Sequence, residues 1–262
     1  MTKQNDIGTV VQWSDSHHPF IDPIAHEAVY RFCKGKKIDT HVHIGDCLDL
    51  GGIGHHVEDD YIAQYEDPVL VGLQSLGNHF NRLFKLTPKA RMVWIFGNHT
   101  DRLFRFVKKH PAWRGIIDKP LELLKNYGEC PMANKIEIVH LTDYTDDFKI
   151  GKMHYCHGFS SGKHVACTHV EQYDESVTFG HAHTMQMFTK AKRDSPKAGY
   201  CIGHMLSKGA RKYLKGAPTR WVTGFAVMEY DKKTGNFTQH LLPIVDGGFF
   251  FGGKYYSGKD KV

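Results

Sequence analysis

Three short apolar segments in the first hundred residues alternate with longer amphipathic ones. Strands are predicted for Val10–Trp13, for the alternating segment Ile38–Ile44 and for Arg91–Phe96. Between them, the apolar residues of 24–33 and 61–84 recur at helical spacing. This order of strand, helix and strand predicts a largely parallel sheet with helices on its faces.

Each of these three predicted strands ends in a polar cluster. The clusters are Asp15-Ser16-His17, Gly45-Asp46 and Gly97-Asn98-His99. In open α/β sheets, functional residues gather just beyond the carboxyl ends of the strands. The first part of the chain therefore predicts an edge of the sheet at which these side chains meet.

The chain becomes richer in strand-like pieces after two short predicted helices at 102–109 and 120–127. The pieces are 136–139, 148–156, 177–179, 185–188, 221–230 and 237–242. Two further polar clusters, His157-Gly158 and Gly180-His181-Ala182-His183, again follow apolar stretches. We expect one domain over residues 1–246 and a flexible tail over residues 247–262, which are rich in Gly, Lys and Tyr.

The composition is that of a globular protein. The chain has 262 residues, of which 41% are hydrophobic and 24% are charged. No apolar run approaches the ~20 residues of a transmembrane helix, and the N-terminus lacks the apolar core of a signal peptide. The six cysteines contain no C-x-x-C pair. These features favour free thiols and a cytoplasmic protein that does not bind a membrane.

Charge and histidine content narrow the range of functions. The 34 Lys and Arg residues exceed the 28 Asp and Glu residues, which gives a net charge of +6 and a mild preference for anionic partners. The chain also has 19 histidines. Histidine is the commonest metal ligand and a frequent proton carrier near neutral pH, so its position in the polar clusters is informative.

Each polar cluster alone could be an ordinary turn, but together they form an ordered series. In chain order the blocks read D-x-H, G-D-x-x-D, G-N-H, H-G and G-H-x-H, from Asp15 to His183. This series resembles the calcineurin-like metallophosphoesterase superfamily and contains every block of that family's pattern. The resemblance implies an α/β fold with a two-sheet β-sandwich core flanked by helices.

The resemblance also implies a site for two divalent metal ions. One ion would be held by Asp15, His17, Asp46 and His183, and the second by Asp46, Asn98, His157 and His181. Their mixed oxygen and nitrogen donors make Mn²⁺ the first choice, with Fe, Zn²⁺, Mg²⁺ and Ni²⁺ as alternatives. The nucleophile would be a hydroxide that bridges the ions, and His99 would stabilise the substrate phosphate and protonate the leaving oxygen.

Two departures from the family pattern affect the residues around this site. The family has Asp or Glu directly after the histidine of the G-N-H block, whereas this chain has Thr100 there and Asp101 one residue later. Asp101 is one candidate to replace the missing acid. Asp49 is followed by Leu50 rather than by the Arg of the phosphoprotein phosphatase branch. We therefore assign Asp49 to the catalytic site as a residue that orients a ligand histidine.

The resulting hypothesis is a dimetal-dependent phosphoesterase that acts on phosphodiesters, with DNA, RNA or a nucleotide as the substrate. The missing phosphatase-type Arg and the basic surplus favour this hypothesis. The basic segment 208–220, which contains Tyr213, would suit a nucleic-acid backbone, although a solvated loop explains it equally well. Two alternatives remain open: a phosphomonoesterase for a small molecule or a phosphoprotein, and a catalytically weak metal-containing module that binds nucleic acid or protein.

Overall fold

The computed structural model describes residues 6–53, 68–141, 148–193, 195–209 and 219–259. In the first part of the chain the elements are β1 (Ile7–Ser14), α1 (Pro23–Cys33), β2 (Thr40–Ile44), α2 (Pro68–Leu86), β3 (Arg91–Ile95), α3 (Asp101–Lys109), α4 (Pro120–Asn126) and β4 (Ile136–Val139). In the second part they are β5 (Lys149–Ile150), β6 (Met153–Tyr155), α5 (Val165–Tyr173), β7 (Val177–Phe179), β8 (Met185–Lys190), β9 (Lys197–Ile202), β10 (Gly224–Asp231), β11 (Phe237–Pro243), β12 (Gly248–Phe251) and β13 (Lys254–Ser257).

The first sheet has six strands in the order β11-β10-β1-β2-β3-β4. Strands β1 to β4 are parallel, whereas β10 and β11 extend the sheet in antiparallel fashion. The register pairs Ser14 with Ile44 and Ile44 with Ile95. The carboxyl ends of β1, β2 and β3 therefore lie side by side at one edge, as the sequence predicts.

The second sheet has five strands in the order β5-β6-β7-β9-β8. Its central strands β6, β7 and β9 are parallel, and the two edge strands are antiparallel to their neighbours. Residues 148–156, predicted as one strand, form a hairpin instead, because the chain turns at Gly151 with a φ of +60°. Strand β9 was not predicted from the sequence.

The two sheets pack face to face around a shared apolar layer. Val42, Ile44 and Val93 of the first sheet belong to one buried cluster with Met153 and Tyr200 of the second. A polar bridge also crosses this layer: Thr178 Oγ1 donates a hydrogen bond of 2.9 Å to Gln12 Oε1. The hydroxyl of Thr178 and the amide oxygen of Gln12 thus satisfy each other across the layer.

Helices cover the outer faces of both sheets. On the first sheet, residues of α1, α2 and α4 pack around the fully buried Trp13 and Trp94, and on the second, Val165 of α5 packs against Val177 and Phe179. The predicted fold class, a two-sheet α/β sandwich flanked by helices, is therefore confirmed. Within the described residues, no helix combines the length and apolar content that a membrane crossing would require.

Strands β12 and β13 form a hairpin within the segment that the sequence analysis treated as a flexible tail. Phe249 of this hairpin is 4% exposed, and its ring centroid lies 4.8 Å from that of Phe225 and 5.8 Å from that of Phe32 on α1. The neighbouring Phe250 points outward and is 74% exposed. The hairpin thus contributes one face to the core beside α1.

This alternation predicts a large difference between two neighbouring phenylalanines. Phe249→Ala should lower the free energy of unfolding by about 3–5 kcal/mol, because it removes a buried ring. The matched Phe250→Ala should change it by no more than about 0.5 kcal/mol. Urea denaturation of the two variants measures both values. If Phe249→Ala lowers the free energy of unfolding as little as Phe250→Ala does, the hairpin does not stabilise the domain.

Candidate metal centre

The polar clusters converge where the strand ends of the two sheets meet. Asp15, Asp46 and Asn98 follow the ends of β1, β2 and β3, while His157 and His181 follow β6 and β7. All seven residues predicted as metal ligands have their donor atoms in two adjacent groups. Whether they bind metal ions stays a prediction, but the fold provides the convergence that such binding requires.

The first group contains Asp15, His17 and His183. The Nε2 atoms of His17 and His183 lie 3.3 Å apart. Asp15 Oδ1 lies 3.3 Å from His183 Nε2 and 4.0 Å from His17 Nε2. Two imidazole nitrogens and a carboxylate oxygen therefore face a common point.

The second group contains Asp46, Asn98, His157 and His181. Asn98 Oδ1 lies 3.0 Å from His157 Nε2 and 3.1 Å from His181 Nδ1. Asp46 Oδ2 lies 3.2 Å from His157 Nε2. One donor atom from each of Asp15, Asp46 and His157 lies within 4.8 Å of the other two, so Asp46 stands between the two groups.

Five of the residues in these groups have an unusual backbone conformation. Asp15, His17, Asp46, His181 and His183 have φ values between +40° and +65°. This left-handed region is uncommon for residues other than glycine, and such strain concentrates at functional sites. The two packed sheets hold the strained loops on both sides of the site.

Two glycines of the motif blocks give the ligands room. A Cβ atom at Gly97 would overlap Oδ1 of Asp46, and one at Gly180 would overlap Oδ2 of Asp15 and Oγ of Ser14. The carboxylates thus contact the backbone of the facing loop directly: His99 N donates to Asp46 Oδ1 at 2.9 Å and His181 N to Asp15 Oδ2 at 3.0 Å. The glycines in the G-N-H and G-H-x-H blocks have a steric role at the site.

The electrostatics of the site favour positive charge between the carboxylates. Burial raises the pKa of Asp15, but the imidazoles of His183 and His157 outweigh it and lower that pKa to about 2. Burial likewise raises the pKa of Asp46, and His157 and His99 hold it well below its usual range. Burial lowers the pKa of His157, but the Asp46 carboxylate raises it to about 9. Both carboxylates therefore stay ionised and attract a proton or a cation.

The donor set fits divalent metal ions. It combines carboxylate oxygens, an amide oxygen and imidazole nitrogens, a mixture that suits Mn²⁺, Fe and Zn²⁺. The pairs of imidazole nitrogens 3.3 Å apart, His17 with His183 and His157 with His181, are each directed at the same point. A shared cation can hold both nitrogens of such a pair, because each ring offers a lone pair once it is deprotonated.

His99 lies beside both groups and is held by the backbone of Asp49. Its Nδ1 donates to the Asp49 carbonyl oxygen at 2.6 Å, and its Nε2 lies 3.9 Å from Asp46 Oδ2. The Asp49 carboxylate contacts His17 Nδ1 at 3.1 Å and so orients a predicted ligand histidine. Burial lowers the pKa of His99, but Asp46 and Asp49 outweigh it, and the net shift is upward.

The structure also shows what surrounds the position of the missing acid. Thr100 is fully buried, and its hydroxyl has no hydrogen-bond partner among the described residues. The Asp101 carboxylate lies 3.0 Å from His140 Nε2, and among the described residues no hydrogen bond or ion pair joins it to His99. The groups that orient His99 come from Asp49 instead.

Arg102 is a further residue at the site that the sequence reasoning missed. Its Nη1 donates to the Asp49 carbonyl at 2.8 Å, and its Nη2 lies 3.1 Å from His99 Nε2. No motif marks it: α3 begins at Asp101, and its second residue returns beside His99 only in the folded structure. Arg102 brings a cation to a site whose motif lacks the phosphatase-type Arg.

A pocket of about 270 Å³ adjoins Asn98 and His157 on the side of the second group. Its walls combine the aromatic side chains of Phe96, Phe159 and Tyr173 with polar ones such as Asp101. On the side of the first group, the ring of Trp221 packs edge-on against His183 at 4.3 Å. Residues 210–218, most of the basic segment singled out above, lie outside the described residues.

No model of a protein family matches this chain, and no curated protein matches it. Among solved structures, wild-type Vps29 of Entamoeba histolytica complexed with Zn²⁺ is 13% identical with a TM-score of 0.43, over 96% of this chain and 99% of that chain. A predicted phosphoesterase of Streptococcus pneumoniae TIGR4 is 14% identical with a TM-score of 0.37, over 96% and 98% of the two chains. Purple acid phosphatase PPD1 of yellow lupin is 11% identical with a TM-score of 0.44, over 96% of this chain and 53% of that one. Similarity this distant assigns neither a family nor an activity.

The position of Asp46 between the two groups predicts its effect on metal binding. Asp46→Asn should weaken Mn²⁺ binding by at least about 10-fold, since even residues that only support a ligand contribute 10–100-fold. Asp101→Asn, which changes a half-exposed carboxylate paired with His140, is the matched control and should bind Mn²⁺ as the wild type does. Isothermal titration calorimetry measures both, and equal affinities would remove Asp46 from the ligand set.

Proposed function

We propose that this protein is a dimetal-dependent phosphoesterase of the calcineurin-like kind that hydrolyses phosphodiesters of a nucleic acid or nucleotide. The observation that carries the proposal is the convergence of two donor groups on either side of Asp46, with His99 beside them. The ordered motif series from Asp15 to His183 supports the same reaction class. Fold alone would not do so, because one fold hosts many functions.

The two donor groups would hold one divalent ion each, with Asp46 shared between them. When bound, such a pair of ions supplies positive charge to the phosphoryl oxygens and lowers the pKa of a bound water. The protein's part is to fix the ligands, and the buried hydrogen bonds from His99 N and His181 N to the carboxylates do this. This arrangement needs no serine or cysteine nucleophile.

In the proposed reaction, His99 would move the proton. Its Nδ1 hydrogen is committed to the Asp49 carbonyl, which directs Nε2 towards the metal centre. The upward shift of its pKa increases the protonated fraction near neutral pH, and the protonated ring can donate from Nε2 to a leaving oxygen. Arg102, which contacts Nε2 in this structure, is placed to bind a phosphate oxygen instead once substrate enters.

The residues around the candidate metal centre favour a phosphoester that carries an organic group such as a nucleobase. The adjoining pocket has aromatic walls, including Phe159 and Tyr173, on which a nucleobase can stack. The net charge of +6 attracts polyanionic substrates. Both features favour a nucleotide or nucleic acid.

A parallel substrate panel tests the proposal. With Mn²⁺ added, we expect hydrolysis of bis-p-nitrophenyl phosphate and of labelled single- or double-stranded DNA to exceed that of p-nitrophenyl phosphate, and Asp46→Asn to abolish it. Turnover of the monoester alone would establish the phosphomonoesterase alternative. Metal-loaded protein that turns over none of these substrates would favour the binding module.

His99 should separate catalysis from metal binding. His99→Ala should reduce kcat by about 10²–10⁴-fold, the usual contribution of a general acid or base, and should retain the wild-type metal content. His110→Ala, which changes an exposed histidine at the other end of α3, is the control and should keep wild-type kcat. Loss of metal from His99→Ala, measured by elemental analysis, would contradict this role.

A further inference from the structure

A second group of histidines lies on the helix-covered side of the first sheet. His18 follows β1, His26 lies on α1 and His79 lies on α2, and we call these three residues the inner histidine cluster. They are 1%, 1% and 3% exposed, respectively. One ring nitrogen of each lies within 4.8 Å of those of the other two. The cluster is built from three separate elements, so the tertiary fold brings it together.

The Nδ1 atom of each ring in the cluster has a hydrogen-bond partner. His18 Nδ1 lies 2.8 Å from Ser75 Oγ, His79 Nδ1 lies 2.6 Å from Tyr30 Oη, and His26 Nδ1 lies 3.0 Å from the Asp22 carbonyl oxygen. A carbonyl oxygen can only accept, so His26 carries its hydrogen on Nδ1. The Nε2 atom of neutral His26 therefore presents a lone pair.

The Nε2 atoms of all three rings have no hydrogen-bond partner among the described residues. Buried polar atoms are nearly always paired, so three unpaired nitrogens in one cluster require an explanation. The ring of a fourth histidine, His43, stands edge-on to His79 with the ring centroids 5.0 Å apart. Neither nitrogen of His43 has a hydrogen-bond partner among the residues that the structure describes. This part of the interior therefore contains several imidazole nitrogens without a hydrogen bond, which is unusual for a packed core.

We propose that His18, His26 and His79 form a third metal site, which binds one Zn²⁺ ion through their Nε2 atoms. Metal-binding histidines commonly donate the other ring hydrogen to a carbonyl, carboxylate or water, which fixes the tautomer and the ring orientation. The contact of His26 with the Asp22 carbonyl is of this type, and the hydroxyls of Ser75 and Tyr30 can accept the corresponding Nδ1 hydrogens of His18 and His79. His43 supplies further unpartnered nitrogens beside the site.

The protonation state of the rings is compatible with this role. Burial lowers the pKa of His26 to about 4, and burial together with the neighbouring His43 holds the pKa of His79 well below its usual value. Both rings are thus neutral at pH 7, the form that binds metal ions. An all-imidazole set suits Zn²⁺, Cu²⁺ and Ni²⁺, whereas the oxygen-rich centre around Asp46 also suits Mn²⁺.

Burial gives the third site a structural role. The cluster ties the start of the His18 loop to α1 and α2, and the same loop carries His17 of the metal centre. Trp13 covers it, with ring centroids 5.7 Å from His26 and 4.8 Å from His79. A cation bound there would hold the loop that follows β1 against α1 and α2. It would thereby raise the thermal stability of the domain.

The test measures Zn²⁺ content in full-length protein that has been stripped with chelator and reloaded. Both the wild type and Asp15→Asn/Asp46→Asn serve as backgrounds, because the second lacks two carboxylates of the proposed catalytic centre. Adding His26→Gln should remove one Zn²⁺ per chain in each background, whereas adding His110→Gln, at an exposed position, should remove none. Equal Zn²⁺ content with and without His26→Gln would overturn the proposal. The outcome does not depend on phosphoesterase activity.

Two further measurements separate loss of the site from loss of the fold. Zn²⁺ should raise the Tm of the Asp15→Asn/Asp46→Asn protein, and His26→Gln should abolish that rise while circular dichroism without metal stays unchanged. Ser75→Ala, which removes only the contact to His18 Nδ1, should weaken Zn²⁺ binding at this site by about 10–100-fold. Unchanged affinity in Ser75→Ala, together with a Tm rise that survives His26→Gln, would show that the cluster is ordinary packing.

Discussion

The structure of this protein depends on the burial of two carboxylates, those of Asp15 and Asp46, where its two sheets meet. They are 0% and 2% exposed, and a carboxylate removed from water is strongly destabilising unless opposite charge and hydrogen bonds replace its hydration. Imidazoles and backbone amides do so here. The left-handed conformations of Asp15, His17 and Asp46 and the close approach of Gly97 and Gly180 are consequences of that requirement. Strain in the loops is tolerated because two packed sheets fix both sides.

The histidines of this chain fall into different environments on the two sides of the first sheet. At the strand ends, His17, His157 and His183 lie against the carboxylates of Asp49, Asp46 and Asp15, respectively. Beneath the helices, His26, His43 and His79 are surrounded by aromatic rings and have unpaired nitrogens. Adjacent residues can lie in different environments, since the His17 ring contacts the Asp49 carboxylate of the candidate metal centre and the His18 ring contacts Ser75 on α2.

Residue patterns alone predict most of the strands in the first half of the chain and the polar clusters at their ends. The elements that they missed depend on contacts between distant segments. Strands β1, β2 and β3 and the clusters at their ends followed from local apolar runs and from the rule for parallel sheets. Strand β9 and the hairpin of β12 and β13 did not, because their stability comes from contacts with distant segments: Cys201 packs in one cluster with Val165, and Phe249 packs on Phe32. Arg102 escaped notice because one arginine on an amphipathic helix has no signature of its own.

The sequence by itself determined the parallel strands, the helices between them and the identity and order of the residues at the strand ends, while the two-sheet fold class followed from the family resemblance of that motif series. Periodicity and motif spacing are local properties, so they can be read without a structure. Only the tertiary structure decided which of those residues face one another, that Asp49 rather than Asp101 orients His99, and that three histidines from separate elements share one interior position. Those facts depend on how two sheets and their helices pack, and packing is set by contacts between residues far apart in the chain.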